Sequence, residues 1–219
     1  MKRALDLALA STALLALSPL FAVIAALIKR EPGPVLFRQT RVGRGGRHFT
    51  LLKFRTMTCE ALSAQLPAQL LTCAGDARVT PLGQRLRHWK LDELPQLVNV
   101  VRGDMALVGP RPEVPRYVAL YTPEQREVLR VRPGITGIDS VYYRDESRLL
   151  VGGDPERLYT EEIMPRKLAL SRAYAERRSL ALDVRILLWT LRCVVSPAWT
   201  PPLGDALSSR AEPKKAPLL

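Results

Sequence analysis

Read for the spacing of its apolar and polar positions, the chain divides near residue 30. Ala4 to Ile28 is predominantly apolar, and its only charge is Asp6. As one straight helix this run would be roughly 37 Å long, enough to cross a bilayer with tilt. Lys2-Arg3 precede it and Lys29-Arg30 follow it. Basic residues at both ends place both on the cytoplasmic side under the positive-inside rule. Ser18-Pro19 lies in the middle. Proline removes a backbone donor and clashes with the carbonyl four residues back, so the pattern predicts a break there. A helix that dips in, breaks at Ser18-Pro19 and returns to the same face meets these conditions. Two other readings stay open: a conventional kinked span, and a cleaved signal peptide. The latter has a suitable basic start but no small-x-small cleavage site between the apolar run and Lys29.

Beyond the break Glu31-Pro32-Gly33-Pro34, two β-prone runs, 35–42 and 47–55, flank Gly43-Arg44-Gly45-Gly46 and predict a basic hairpin. Residues 59–75 are weakly patterned and read as a loop or short helix. Pro81 to Trp89 is a short basic amphipathic stretch. Leu94, Leu97, Val98 and Val101 then recur at helical spacing, with Asp92 where an N-cap would sit and Pro95 in the first turn. Residues 122–130 read as helical, 132–137 as a loop, and Glu161 to Arg178 as a charged helix. Leu180 to Val195 carries three charges, Asp183, Arg185 and Arg192, and is too short and polar to span. It is expected in the core or in the membrane interface, with Trp189 and Trp199 near headgroup depth. The tail from Thr200 is proline-rich and reads as disordered. The predicted class is α+β and mainly helical, with interfacial amphipathic helices. The divisions are 1–30 membrane helix, 31–199 catalytic domain and 200–219 tail.

The charge balance changes the picture. Thirty-three Lys plus Arg against 21 Asp plus Glu give a net charge of +12 over 219 residues, which points to an anionic partner. Three cysteines without CxxC spacing argue against a disulfide framework and fit a reducing compartment. Aromatic residues are only 6% of the chain and no nucleic-acid motif is present, so nucleic acid is not the expected partner.

In so cationic a chain the adjacent acids Asp92-Glu93 are the leading candidates for chemistry, and Pro110-Arg111-Pro112 is a stiff mount for a phosphate-binding arginine. A plain helix cap accounts for Asp92 but not for Glu93. The bland reading of Arg111 is a surface arginine in a structural turn. Lys53, Arg55 and Arg132 are weaker phosphate-binding candidates, for which a lipid headgroup, a helix end or a salt bridge is the competing partner.

Lys53-Phe54-Arg55-Thr56-Met57, Leu86-Arg87, LDELPQL (91–97), Arg102-Gly103-Asp104-Met105, VGPRP (108–112) and RPGITG (132–137), in this order, resemble the bacterial sugar transferase family. The resemblance covers about residues 2–195. It implies a small monotopic phosphoglycosyl transferase on the cytoplasmic face of the bacterial inner membrane, initiating cell-surface glycan assembly. Such enzymes move a sugar 1-phosphate from a UDP-sugar to a polyprenyl phosphate with magnesium. The resemblance makes Asp92 the nucleophile of a covalent phosphosugar intermediate and releases UMP. Glu93 is then placed to share the magnesium or to orient its waters. Arg87 and Arg111 match active-site arginines, Asp183 an acid of a C-terminal Leu-Asp motif, and Ser18-Pro19 the break of a re-entrant helix. Membrane phospholipids are implied as surroundings, and a second copy or downstream glycosyltransferases as further partners.

The sequence departs from the family pattern in three places, one of them a longer stretch, Asp145 to Pro165, before the last helices. His88-Trp89-Lys90 precede the acids where Thr-Ser is common. Ile138-Asp139-Ser140-Val141 follow RPGITG in place of a Trp-Ala-Gln-Val-like run. All three bear on sugar preference. The rival reading is a non-enzymatic, cationic, membrane-associated binding module, which would have no need of the acid pair.

Overall fold

The break at Ser18-Pro19 separates two helices, α1 (Lys2–Ala16) and α2 (Ser18–Lys29), bent by 60° in the computed structural model. Pro19 cannot donate to the carbonyl of Leu15, and the Ser18 hydroxyl donates to that carbonyl instead, at 2.8 Å. Among the described residues no single helix is long and apolar enough to cross a membrane; the bent pair passes that test only together. The structure describes residues 1–59, 71–151, 153–196 and 198–202. Residues 60–70 of the weakly patterned stretch, and 203–219 of the tail, lie outside these.

Each helix of the pair turns one stripe onto the rest of the protein. Ala10 packs with Leu51, Leu97, Val100 and Met105, and Ile24 and Ile28 pack with Phe54 and Leu86. Leu5, Leu9, Leu15 and Val23 remain exposed on the other side. Asp6 is buried, with Lys2 3.9 Å away, so the one charge in the apolar run faces protein. Arg3 donates to the carbonyls of Val100 (2.6 Å) and Val101 (3.1 Å) and so closes the C-terminal end of the later helix Gln96–Arg102.

The basic segment forms the expected antiparallel hairpin, β1 (Leu36–Val42) with β2 (His48–Phe54), in register from Leu36↔Phe54 to Val42↔His48. Gly45 (φ 68°) and Gly46 (φ 77°) supply the left-handed backbone of the turn. After α3 (Pro81–His88) comes α4 (Gln96–Arg102), which lies along β2. Asn99 is fully buried. It accepts from Leu52 N (3.1 Å) and donates to Thr50 O (2.7 Å), so backbone groups on this edge of β2 are paired by a side chain.

Residues 132–137 are not the loop their glycines suggested. Gly134–Thr136 is a strand, β4, parallel to β3 (Ala106–Val108). The reason is backbone proximity. Gly109 N donates to Thr136 O (2.9 Å), and Gly134 N donates to Pro110 O (2.9 Å). A Cβ on Gly134 would lie 2.1 Å from Gly109 N, so only glycine lets these backbones approach.

Short helices α5 (Pro115–Val118), α6 (Ile138–Tyr142), α7 (Glu146–Leu149) and α8 (Pro155–Leu158) connect to α9 (Met164–Arg177) and α10 (Leu180–Val195). The 122–130 stretch is helical, as a 3₁₀ turn over Gln125–Arg130. The expected charged helix is present and begins earlier: α8, a π turn over Tyr159–Ile163 and α9 run without a break from Pro155 to Arg177. Trp189 is buried among Val108, Ile138, Leu170 and Ile186, so the inward face of α10 packs into the core. The mainly helical α+β class holds, with two small two-stranded sheets among the described residues.

Candidate active site

The acids sit on a forced reversal of the chain. Thr80 caps α3 by accepting from Gly83 N (3.0 Å), and after His88 the backbone turns through Lys90 at φ 55°. Lys90 is the one non-glycine residue with positive φ among the described residues, a conformation that costs about 1–2 kcal/mol. A 3₁₀ turn, Leu91–Glu93, follows, and Pro95 immediately precedes α4. Asp92 is therefore not an N-cap. A cap at 92 would bond an amide of Leu94 or Pro95; Leu94 N donates to Leu91 O instead (3.3 Å), and proline has none to give.

Glu93 is held by two cations. Its Oε1 accepts from Lys53 Nζ (2.8 Å) and Arg111 Nη2 (2.7 Å), and its Oε2 from Arg111 Nη1 (3.3 Å). Burial works to raise its carboxyl pKa, but Arg111 and Lys53 more than offset that and hold it well below the ordinary range. The Glu93 carboxylate in turn keeps Arg111 firmly protonated. Burial lowers the pKa of Lys53, with Glu93 opposing.

Asp92 differs. It is buried, and its Oδ1 has no hydrogen-bond partner. Burial pushes its pKa up, against Lys53, Lys90 and Arg87, and the adjacent Glu93 pushes the same way. Arg87 is pinned through Nε to Thr56 Oγ1 (2.9 Å), and Asp92 contributes to the field it feels. Four cations (Lys53, Arg87, Lys90 and Arg111) thus surround two carboxylates. The surplus of positive charge suits a polyanion such as a diphosphate.

Of the predicted site residues, the structure brings Asp92, Glu93, Lys53, Arg87 and Arg111 together. The others have different partners. Arg55 is 3% exposed and donates to Ile28 O (3.0 Å), Glu31 O (3.2 Å) and Pro32 O, closing the C-terminal end of α2. Arg132 donates to Gly103 O (3.1 Å). Asp183 takes Lys2 Nζ on one oxygen and the Tyr174 hydroxyl (2.6 Å) on the other, and this joins α10 to the start of α1. Ser18 and Pro19 lie at the helix break. The sequence reading missed Thr56, Lys90 and the supports of Arg111 described below. A carboxylate two residues after the RPGITG motif, Asp139, is the available signal for one of them.

The donor set fits a magnesium ion. Among the described residues no three His, Cys, Asp or Glu side chains converge. Magnesium, however, is commonly held by one or two carboxylates, water and substrate phosphate. The Asp92 Oδ1 is a buried carboxylate oxygen with no hydrogen-bond donor, and a metal ion would satisfy it.

The profile of the family described as bacterial sugar transferase matches residues 1–197. The UDP-glucose:undecaprenyl-phosphate glucose-1-phosphate transferase of Caulobacter vibrioides is 42% identical, over 87% of this chain and 68% of its own. The UDP-N-acetylgalactosamine-undecaprenyl-phosphate N-acetylgalactosaminephosphotransferase of Aeromonas hydrophila is 39% identical, over 89% of this chain and 44% of its own. The exopolysaccharide production protein ExoY of Sinorhizobium fredii is 39% identical, over 66% of this chain and 70% of its own. The chain thus spans between under half and about two thirds of the length of these relatives. With the family's profile covering nearly all of its described residues, this chain belongs to the bacterial sugar transferase family.

Proposed function

We propose that this protein transfers a sugar 1-phosphate from a UDP-sugar to a polyprenyl phosphate, such as undecaprenyl phosphate, through an aspartyl-phosphosugar intermediate. The observation that carries the reading is the Asp92-Glu93 pair, Asp92 buried and Glu93 largely so, with one oxygen of Asp92 unpartnered and four cations around the pair. An Asp92 oxygen attacks the sugar-bearing phosphorus, and the bond from that phosphorus to the bridging oxygen breaks. UMP departs with that oxygen and its electron pair. An oxygen of the polyprenyl phosphate then attacks the same phosphorus and returns Asp92 to a free carboxylate. An ionised carboxylate needs no base to activate it. Arg87 and Arg111 bind non-bridging oxygens and stabilise charge that grows on the leaving phosphate. Asp92 and Glu93 would hold the magnesium, which supplies further neutralisation of the diphosphate.

Burial of the acid pair favours this reading over a non-enzymatic cationic membrane module. Membrane attachment alone gives no return for desolvating two carboxylates. The relatives named for glucose and for N-acetylgalactosamine match at nearly equal identity, so assay decides the sugar. Given polyprenyl phosphate, magnesium and a panel of UDP-sugars, the protein should release UMP with at least one; release with none would overturn the proposal.

The helix pair supports a monotopic, re-entrant attachment at the cytoplasmic face of the inner membrane. Pro19 sets the 60° bend, and Leu5, Leu9, Leu15 and Val23 form its exposed apolar side. Single cysteines placed beside Met1 and after Lys29 should both react with an impermeant thiol reagent from the cytoplasmic side only. Reaction from opposite sides would establish a span instead.

A further inference from the structure

Pro110-Arg111-Pro112 has an unusual feature as a mount for a catalytic arginine. Neither proline carries an amide hydrogen, so the N–H of Arg111 is the only backbone donor in the tripeptide. That donor is taken by a side chain: Arg111 N donates to Asp139 Oδ2 at 3.0 Å. The two flanking carbonyls are also bonded. Pro110 O accepts from Gly134 N (2.9 Å), and Pro112 O accepts from Arg41 Nη1 (3.0 Å). Arg41 is fixed in turn by Glu113 Oε1 (3.0 Å). The loop is thereby held from three directions, by β4, by the hairpin and by α6.

Asp139 is the costly member of this set. It is 3% exposed, and its Oδ1 has no hydrogen-bond partner. A buried carboxylate with one bare oxygen is destabilising unless its other interactions compensate. Its Oδ2 accepts from the backbone of the arginine that grips Glu93, and the backbone N–H of Ser140 and the charge of Lys167 also favour its ionised form. Asp139 also adds to the field that keeps Arg111 protonated. None of the proposed chemical steps uses it directly.

We propose that Asp139 is a positioning residue, which fixes the backbone of Arg111 so that its guanidinium meets both Glu93 and the substrate phosphate. The inference rests on the proposed function and deepens it. It also assigns a role to one residue of the 138–141 segment in which this sequence departs from its family's pattern.

The test is a double-mutant cycle read by initial rates of UMP release over a range of UDP-sugar concentrations, with thermal unfolding alongside. Asp139→Ala should lower kcat/KM by about ten- to a hundredfold, as expected when a transition-state donor is misplaced. Asp139→Asn keeps an acceptor for the Arg111 amide and should retain at least about a fifth of wild-type kcat/KM. Asp139→Ala in an Arg111→Ala background should cost no more than about threefold beyond Arg111→Ala alone. Three results would overturn the inference: Asp139→Ala within twofold of wild type, losses that multiply in the double variant, or Asp139→Asn as impaired as Asp139→Ala with its unfolding temperature unchanged. If Asp139→Ala does not fold, the Asn variant still decides the matter. Wild-type rates from Arg111→Ala would instead remove the phosphate-binding assignment on which this proposal stands.

Discussion

Asp92→Asn should abolish UMP release from the UDP-sugar that the wild-type protein uses, by at least about a thousandfold, while leaving the protein folded. The substitution is nearly isosteric and removes only the ionisable oxygen. An amide is a poor nucleophile toward phosphorus, and it cannot neutralise a cation. Burial of a carboxylate at this position is unfavourable in the absence of ligand, because it raises the Asp92 pKa and leaves Oδ1 without a donor. The neutral asparagine should therefore fold at least as stably as the wild type, separating loss of chemistry from loss of structure. Retention of more than a few per cent of the wild-type rate would show that Asp92 is not the attacking group.

Arg111→Ala should reduce kcat/KM for UMP release by about a hundredfold or more, the scale on which a single oxyanion-binding donor acts. Two losses combine. The substrate phosphate loses a bidentate donor, and Glu93 loses the closer of its two cationic partners, at 2.7 Å. Glu93 then has Lys53, at 2.8 Å, as its remaining salt-bridge partner. A stability loss of about 1–2 kcal/mol is expected, smaller than for a fully buried pair because the Arg111 side chain is a third exposed. Arg111→Lys should recover charge but not the two-pronged geometry, and so fall between wild type and alanine. A wild-type rate in Arg111→Ala would leave the positive side of the site to Arg87, Lys53 and Lys90.

Local signals carried the sequence reading furthest. The broken helix, the basic hairpin and the Asp92-Glu93 pair each depend on residues near one another in the chain. Proline, glycine turns and adjacent charge mark such features wherever the rest of the chain goes. The cap reading of Asp92, the bland alternative to a nucleophile, arises because the apolar spacing from Leu94 onward begins a helix register; Leu94 N is bonded to Leu91 O and Pro95 has no amide, so no cap forms. Arg132 to Gly137 was misread as a loop for a complementary reason. The same glycines that signal turns also permit close backbone pairing, and only the arrival of β3, some 28 residues earlier in the chain (Ala106 pairs with Gly134), decides between the two.

The cations were harder still to sort. Lys53, Arg55, Arg87, Arg111 and Arg132 look alike in a chain with 33 basic residues. Lys53 reaches Glu93, while Arg55, two residues on, closes the end of α2. The alternation of side chains along β2 and just beyond it sends them to the same face of the hairpin in principle, and tertiary packing then gives each its partner. Asp183 shows the opposite case. Its match to a family motif suggested the site, yet its contacts are with Lys2 and Tyr174, where it ties α10 to α1.

The central claim is that Asp92 carries the phosphosugar between two half-reactions. The most direct measurement is the intact mass of the protein after incubation with magnesium and its UDP-sugar, with no polyprenyl phosphate present. The account predicts release of up to one equivalent of UMP and a protein heavier by one glycosyl phosphate, mapped to the peptide containing Asp92, absent from Asp92→Asn and discharged on adding polyprenyl phosphate. Unmodified protein, together with UMP release that occurs only when the acceptor is present, would contradict it.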